Sequence, residues 1–187
     1  MGTYNVDAEV SEDTSAPKIV SVPVRTQSRR KGAGTIQVVE FILGKEHFAI
    51  DLFDTREVIT QTEVTPLPNT SSFLKGIIDL RGSITTIIDL ADLMHITTEA
   101  VGKKKARIIV LDSGISVKPI GILVDDVFSV TTYSHEVIDR EERDQTNNRD
   151  ILGVIRKKGK VSGEKERAGL VILLDIRKMI GKIEEDL

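Results

Sequence analysis

Histidines, a carboxylate pair, clustered cations and glycine-rich runs are the groups through which this chain could do chemistry, and none has the spacing that chemistry requires. His47, His95 and His135 are its three neutral-pH proton carriers. None stands at metal-ligand spacing to another histidine, and no H-E-x-x-H run is present, so they read as solvated or incidental. Asp125 and Asp126 suggest acid–base work or Mg²⁺ binding. Adjacent strand residues point to opposite faces, however, which favours a turn or strand-end role. Gly32-Ala33-Gly34 precedes a strand and lacks a third glycine, whereas a dinucleotide loop follows a strand and opens a helix, so it reads as linker. Arg29-Arg30-Lys31 could contact phosphate. Aromatic residues are only 4%, with no basic strip interleaved with rings, so nucleic acid is not an expected partner. The absence of cysteine removes thiolates and disulfides, and no phosphate-binding loop or serine elbow occurs. No catalytic residue, metal or cofactor is expected.

What remains is one charged side chain on an apolar hairpin. Gly76 to Leu80 and Ser83 to Ile88 are rich in β-branched residues, and Arg81-Gly82 between them supplies the positive φ of a hairpin turn. Asp89 then precedes Leu90, Leu93 and Met94, a helix N-cap followed by apolar residues at helical spacing. The run is a compact ββα unit with Arg81 at its tip.

The elements around it are mostly strands. Val39, Phe41 and Leu43 share a face of a strand over 36–43. Short segments echo one another in order: Val38-Val-Glu-Phe41 with Ile108-Ile-Val-Leu111, Ala49-Ile-Asp51 with Leu123-Val-Asp125, Gly76-Ile-Ile78 with Gly153-Val-Ile155, and Ile87-Ile-Asp-Leu90 with Leu173-Leu-Asp-Ile176. Their offsets are 70 (Val38 to Ile108), 74 (Asp51 to Asp125), 77 (Gly76 to Gly153) and 86 (Asp89 to Asp175), which predicts two similar β-rich lobes. Close-spaced turn signals point to an all-β barrel or sandwich. Asp175 caps a C-terminal helix with Ile176, Met179, Ile180, Ile183 and Leu187 on one face. Residues 1–34 have no sustained apolar period and read as a disordered tail ahead of a domain over 35–187.

The 187-residue chain has 40% hydrophobic and 29% charged residues, enough for a real core. A net charge of −3 gives no global pull toward a membrane or nucleic acid. No apolar run of membrane-spanning length and no secretion signal is evident, so a cytoplasmic protein without direct membrane insertion is expected.

The hairpin resembles the signature of the CheW family, the adaptor domains of chemotaxis, in which G-V-I-N-L-R-G leads to I-I-D-L. Here Gly76-Ile-Ile-Asp-Leu-Arg-Gly82 is followed by Ile87-Ile-Asp-Leu90, with Asp79 where the pattern has asparagine. The likeness extends through Phe41-Ile-Leu-Gly44, Phe48-Ala-Ile-Asp51, Arg56-Glu-Val-Ile59, Pro66-Leu-Pro68, Gly121 to Val127, Ile151-Leu-Gly-Val154 and Leu170 to Asp175. It implies two SH3-like β-barrel lobes on a shared hydrophobic core, closed by the C-terminal helix. The implied function is non-catalytic: coupling the cytoplasmic tip of a methyl-accepting chemoreceptor to the regulatory domain of the CheA histidine kinase, at receptor arrays on the inner face of the membrane. Carried over position by position, the partner-binding residues are Thr55, Glu57, Gly76, Arg81 and Gly82, with Thr55 where the family commonly has an apolar residue. Phe73, Leu74 and Ile77 either extend that surface or are buried in the lobe. A CheV-like or kinase-derived fragment is the near alternative, and a barrel-type enzyme or nucleic-acid binder the distant one.

Overall fold

A computed structural model describes residues 19–20, 34–97, 106–140, 150–157 and 169–184. The strands are β1 (Ile19–Val20), β2 (Thr35–Leu43), β3 (Glu46–Asp51), β4 (Thr55–Thr60), β5 (Leu74–Leu80), β6 (Ser83–Asp89), β7 (Arg107–Leu111), β8 (Ile120–Val124), β9 (Asp126–Ser134), β10 (Ile138–Asp139), β11 (Ile151–Lys157) and β12 (Gly169–Leu174). The helices are α1 (Leu90–Leu93) and α2 (Ile176–Ile183). The strands form two six-stranded sheets, ordered β1-β4-β7-β8-β6-β5 and β10-β11-β12-β3-β2-β9.

Because side chains alternate along a strand, several strands serve two cores at once. In β7, Ile108 and Val110 fill the interior of the first lobe with Ile59, Ile78, Leu80 and Ile87. Ile109 and Leu111, on the other face, join a central cluster between the sheets. In β2, Val38 enters the second lobe's interior with Ala49, Ile155 and Val171, while Val39, Phe41 and Leu43 enter the central cluster. Strands buried on both faces read as near-continuous Val/Ile runs, and this is why the strand segments echo one another in the sequence. Helix α2 seats Ile176, Met179, Ile180 and Ile183 in the central cluster, with the Asp175 side chain accepting from the Lys178 N–H as its cap. Leu187 lies outside the described residues.

The all-β architecture agrees with expectation, but the two lobes are not successive halves of the chain. The first sheet joins β4, β5 and β6 to β7 and β8, and the second joins β2 and β3 to β9, β11 and β12. Each half lends its opening hairpin to the other half's sheet. Two equivalent parallel pairings make the exchange, Thr86 opposite Ile120 between β6 and β8 and Val171 opposite His47 between β12 and β3. Repeat offsets establish equivalent segments but do not state which equivalents pair, so the exchange is invisible in the sequence.

Most of the expected tail over 1–34 falls outside the described residues. Ile19–Val20, however, pair with β4, so this stretch contributes an edge strand despite lacking an apolar period. The described residues include no helix long and apolar enough to cross a membrane.

Candidate functional site

Strands β5 and β6 meet in the expected two-residue turn, with Leu80 opposite Ser83. Arg81 and Gly82 both have positive φ, 54° and 81°, the conformation that matches the twist of a hairpin. Left-handed backbone is unfavourable for arginine, and the turn is held by Asp79, whose Oδ1 accepts a 2.7 Å hydrogen bond from the Gly82 N–H. An asparagine carbonyl could accept the same bond, so the aspartate keeps the turn chemistry of the pattern it departs from. From this tip the Arg81 Nη2 reaches Glu57 Oε2 on β4 at 3.3 Å. The arginine side chain is 59% exposed and the glutamate 11%, so the pair has one face inside the lobe and one in water.

β4 presents Glu57 beside a bulge. Thr55 opposes Leu111 and Glu57 opposes Val110, which leaves Arg56 as the extra residue, exposed. Thr55 is buried, and its Oγ1 has no hydrogen-bond partner. Upstream, Asp54 is clamped by Arg177 of α2, Nε at 2.8 Å and Nη2 at 2.6 Å from Oδ1. The same guanidinium donates to the Gly114 carbonyl at 3.0 Å, which ties the β7–β8 loop and α2 to the start of β4.

Between the hairpin and that loop lies an open groove whose lining includes Arg56, Glu57, Arg81, Thr85, Asp112 and Lys118. Two apolar side chains stand out nearby, Val117 at 99% and Ile84 at 58% exposure. Charges of both signs and exposed apolar side chains therefore lie together at this face. Among the described residues no cluster of His, Cys, Asp and Glu is arranged to hold a metal ion.

Residues 37–184 match the CheW-like domain family. The chain belongs to the CheW family. It is 32% identical over 147 residues to the chemotaxis protein CheW of Thermotoga maritima, covering 79% of this chain and 89% of that protein. To CheW of Treponema pallidum it is 27% identical over 153 residues, covering 79% and 84%. The crystal structure of the scaffolding protein TtCheW from Thermoanaerobacter tengcongensis superposes with a TM-score of 0.66 at 25% identity, covering 81% of this chain and 97% of that one. CheW proteins couple chemoreceptors to CheA kinase without catalysis, and this chain is a non-enzymatic adaptor of that kind.

Within this CheW domain the five expected site residues divide. Glu57, Arg81 and Gly82 converge at the hairpin tip. Thr55 is buried two positions from Glu57. Gly76 is also buried, five residues back along β5, or roughly 17 Å at strand rise. Its φ of 138° and a Cβ position only 2.0 Å from the Thr65 carbonyl oxygen make it a close-approach residue, where the 65–66 backbone crosses β5. Phe73 and Leu74 are half-buried against the central cluster, and Ile77 is half-buried and bridges to Thr65. Sequence reasoning missed the groove's second wall, the β7–β8 loop, for which the turn signals around Gly114 and Pro119 were the available hint.

It also missed a buried charge in the second lobe. Glu40 is fully buried, accepting from the Tyr133 hydroxyl at 2.6 Å and from Lys157 Nζ at 2.5 Å. Burial pushes its carboxyl pKa up, but the hydrogen bonds from Lys157, Tyr133 and Thr131 together outweigh it and hold the group below its ordinary 4.5. Burial and then the neighbouring Glu40 push the Tyr133 phenol well above its usual range. Lys157 also lies over the Phe128 ring at 5.6 Å, and the His47 ring meets Phe128 edge-on at 5.8 Å. A glutamate inside the apolar run 38–43 was the signal. The two adjacent aspartates separate: Asp125 accepts from the Gly44 N–H, whereas Asp126 accepts from the Val127 N–H and faces Arg107.

Proposed function

We propose that this adaptor binds the cytoplasmic tip of a methyl-accepting chemoreceptor and the regulatory domain of a CheA-type kinase, and that the Glu57–Arg81–Gly82 hairpin end is the anchor for one of them. It works in the cytoplasm, at receptor arrays on the inner face of the membrane. The observation carrying this reading is the Arg81 guanidinium, fixed in place by the turn and by Glu57 yet more than half exposed beside the groove. A guanidinium held this way meets a carboxylate or carbonyl with little further loss of side-chain freedom. Anchors of this kind sit among near-neutral contacts, for which the exposed Ile84 and Val117 are suited.

Titrating wild-type and Arg81→Ala protein against a receptor-tip fragment and a kinase regulatory domain tests the reading. Loss of an anchor costs about 2 kcal/mol or more of association, some thirtyfold in affinity, for the protein bound there. Unchanged affinity for both removes Arg81 from the site.

A further inference from the structure

Strand β1 lies N-terminal to residues 37–184, the part that matches the CheW-like family. It lies on β4, the strand that carries Thr55 and Glu57. Ile19 opposes Ile59 and Val20 opposes Val58, so β1 runs antiparallel toward the Glu57 end. On its other side β4 pairs with β7, so the edge under β1 would present unpaired N–H and C=O groups if β1 left. Such an edge accepts an extended segment from another chain. A strand of two residues is held by few hydrogen bonds, each of small net worth against water, so it can detach while the sheet beneath stays folded.

We propose that Ile19–Val20 is a tethered, displaceable occupant of a strand-accepting edge on β4, and that it limits access of a protein partner to the Glu57–Arg81 end of that strand. The inference rests on the docking site proposed above. The partner it implies lays an extended segment along β4 while engaging Arg81, so release of β1 is part of association. A competitor on the same chain lowers the apparent affinity by the fraction of molecules in which the edge is open.

The chain has no cysteine, so Val20→Cys with Val58→Cys creates a single thiol pair at directly opposed positions. Opposed residues of antiparallel strands have the Cα spacing that a disulfide needs. Whichever of the receptor-tip fragment and the kinase regulatory domain loses affinity on Arg81→Ala is expected to bind the oxidised protein at least tenfold more weakly than the same protein after reduction. Full-length Val20→Pro, which removes a main-chain donor from β1, is expected to bind more tightly than wild type. Hydrogen exchange over 55–60 checks that the first variant holds β1 down and the second releases it. Equal affinities in the oxidised and reduced states, with Arg81→Ala still weakening binding, overturn the control by β1 and leave the docking site standing. Arg81→Ala without effect on either partner overturns the docking site, and the control with it.

Discussion

Arg81 and Glu57 close the first lobe across its seam: β4 and the β5–β6 hairpin stand toward opposite ends of the sheet order, yet their side chains meet at 3.3 Å. The anchor proposed for a partner is therefore also a structural contact. Arg81→Ala removes the pair and leaves Glu57 without its cation, which costs about 1 kcal/mol once the exposure of the arginine is allowed for. For a domain of this size that is a fall of roughly 2–4 °C in Tm. Arg81→Gly loses the same pair but relieves left-handed backbone at φ 54°, so its melt stays near wild type. In a Glu57→Gln background Arg81→Ala adds little, and a full additional loss in that double-mutant cycle shows the pair to be inert.

Asp79 is the point where the hairpin departs from the family pattern, and it accepts from the Gly82 N–H at 2.7 Å. Asp79→Asn retains an acceptor and is expected within about 0.5 kcal/mol of wild type. Asp79→Ala leaves the turn without its brace and costs about 1 kcal/mol. Urea denaturation of both variants makes the comparison. Equal losses would show that charge, rather than the hydrogen bond, holds the turn.

Two glycines give opposite outcomes. At Gly76 a Cβ would lie 2.0 Å from the Thr65 carbonyl oxygen and 2.9 Å from the Pro66 Cα, at a φ of 138°. Only backbone can yield there, so Gly76→Ala is expected to cost more than about 4 kcal/mol, in the exceptional range for a single substitution. On α2 a Cβ at Gly181 meets nothing within 4 Å, and Gly181→Ala should stabilise by about 0.5–1 kcal/mol. Thermal melts decide both. A partner-binding defect of Gly76→Ala in a fully stable protein would instead make that residue a contact.

The hairpin, its turn, the α2 cap and the central face of β2 were legible because each is local: a two-residue turn, a side chain three residues from an amide, an alternation of period two. The exchanged hairpins were not, since β2 echoes β7 and β3 echoes β8 as equivalents, but which strands pair is decided by long-range packing. Glu57 and Arg81 were both named from the family pattern, yet their contact across the seam is a tertiary fact that neither neighbourhood encodes. Thr55 and Gly76 belong to the same pattern but are buried, and a pattern does not separate surface from support. Ile19–Val20 are illegible as a strand in the sequence, because two residues are too few to make a period.

Glu40 is held below its ordinary 4.5 by Lys157, Tyr133 and Thr131 acting against burial, so the folded state binds its proton less readily than the unfolded chain. Its contribution to stability is fully present above about the unfolded value and is lost as pH falls through the depressed folded one. Lys75 is shifted the other way, raised from 10.5 chiefly by its hydrogen bond to Asp92, against a smaller effect of burial, with Asp89 adding to it. Its contribution is present below the unfolded value and is lost as pH rises through the elevated folded one. Stability should therefore decline on both limbs. Glu40→Gln removes the ionisable group, at the cost of leaving Lys157 beside an uncharged partner, so it lowers stability at neutral pH while flattening the acid limb below pH 4.5. Lys75→Met should flatten only the alkaline limb. Urea midpoints measured from acid to alkaline pH for the three proteins test the assignment. An acid limb as steep in Glu40→Gln as in wild type would place the titrating group elsewhere.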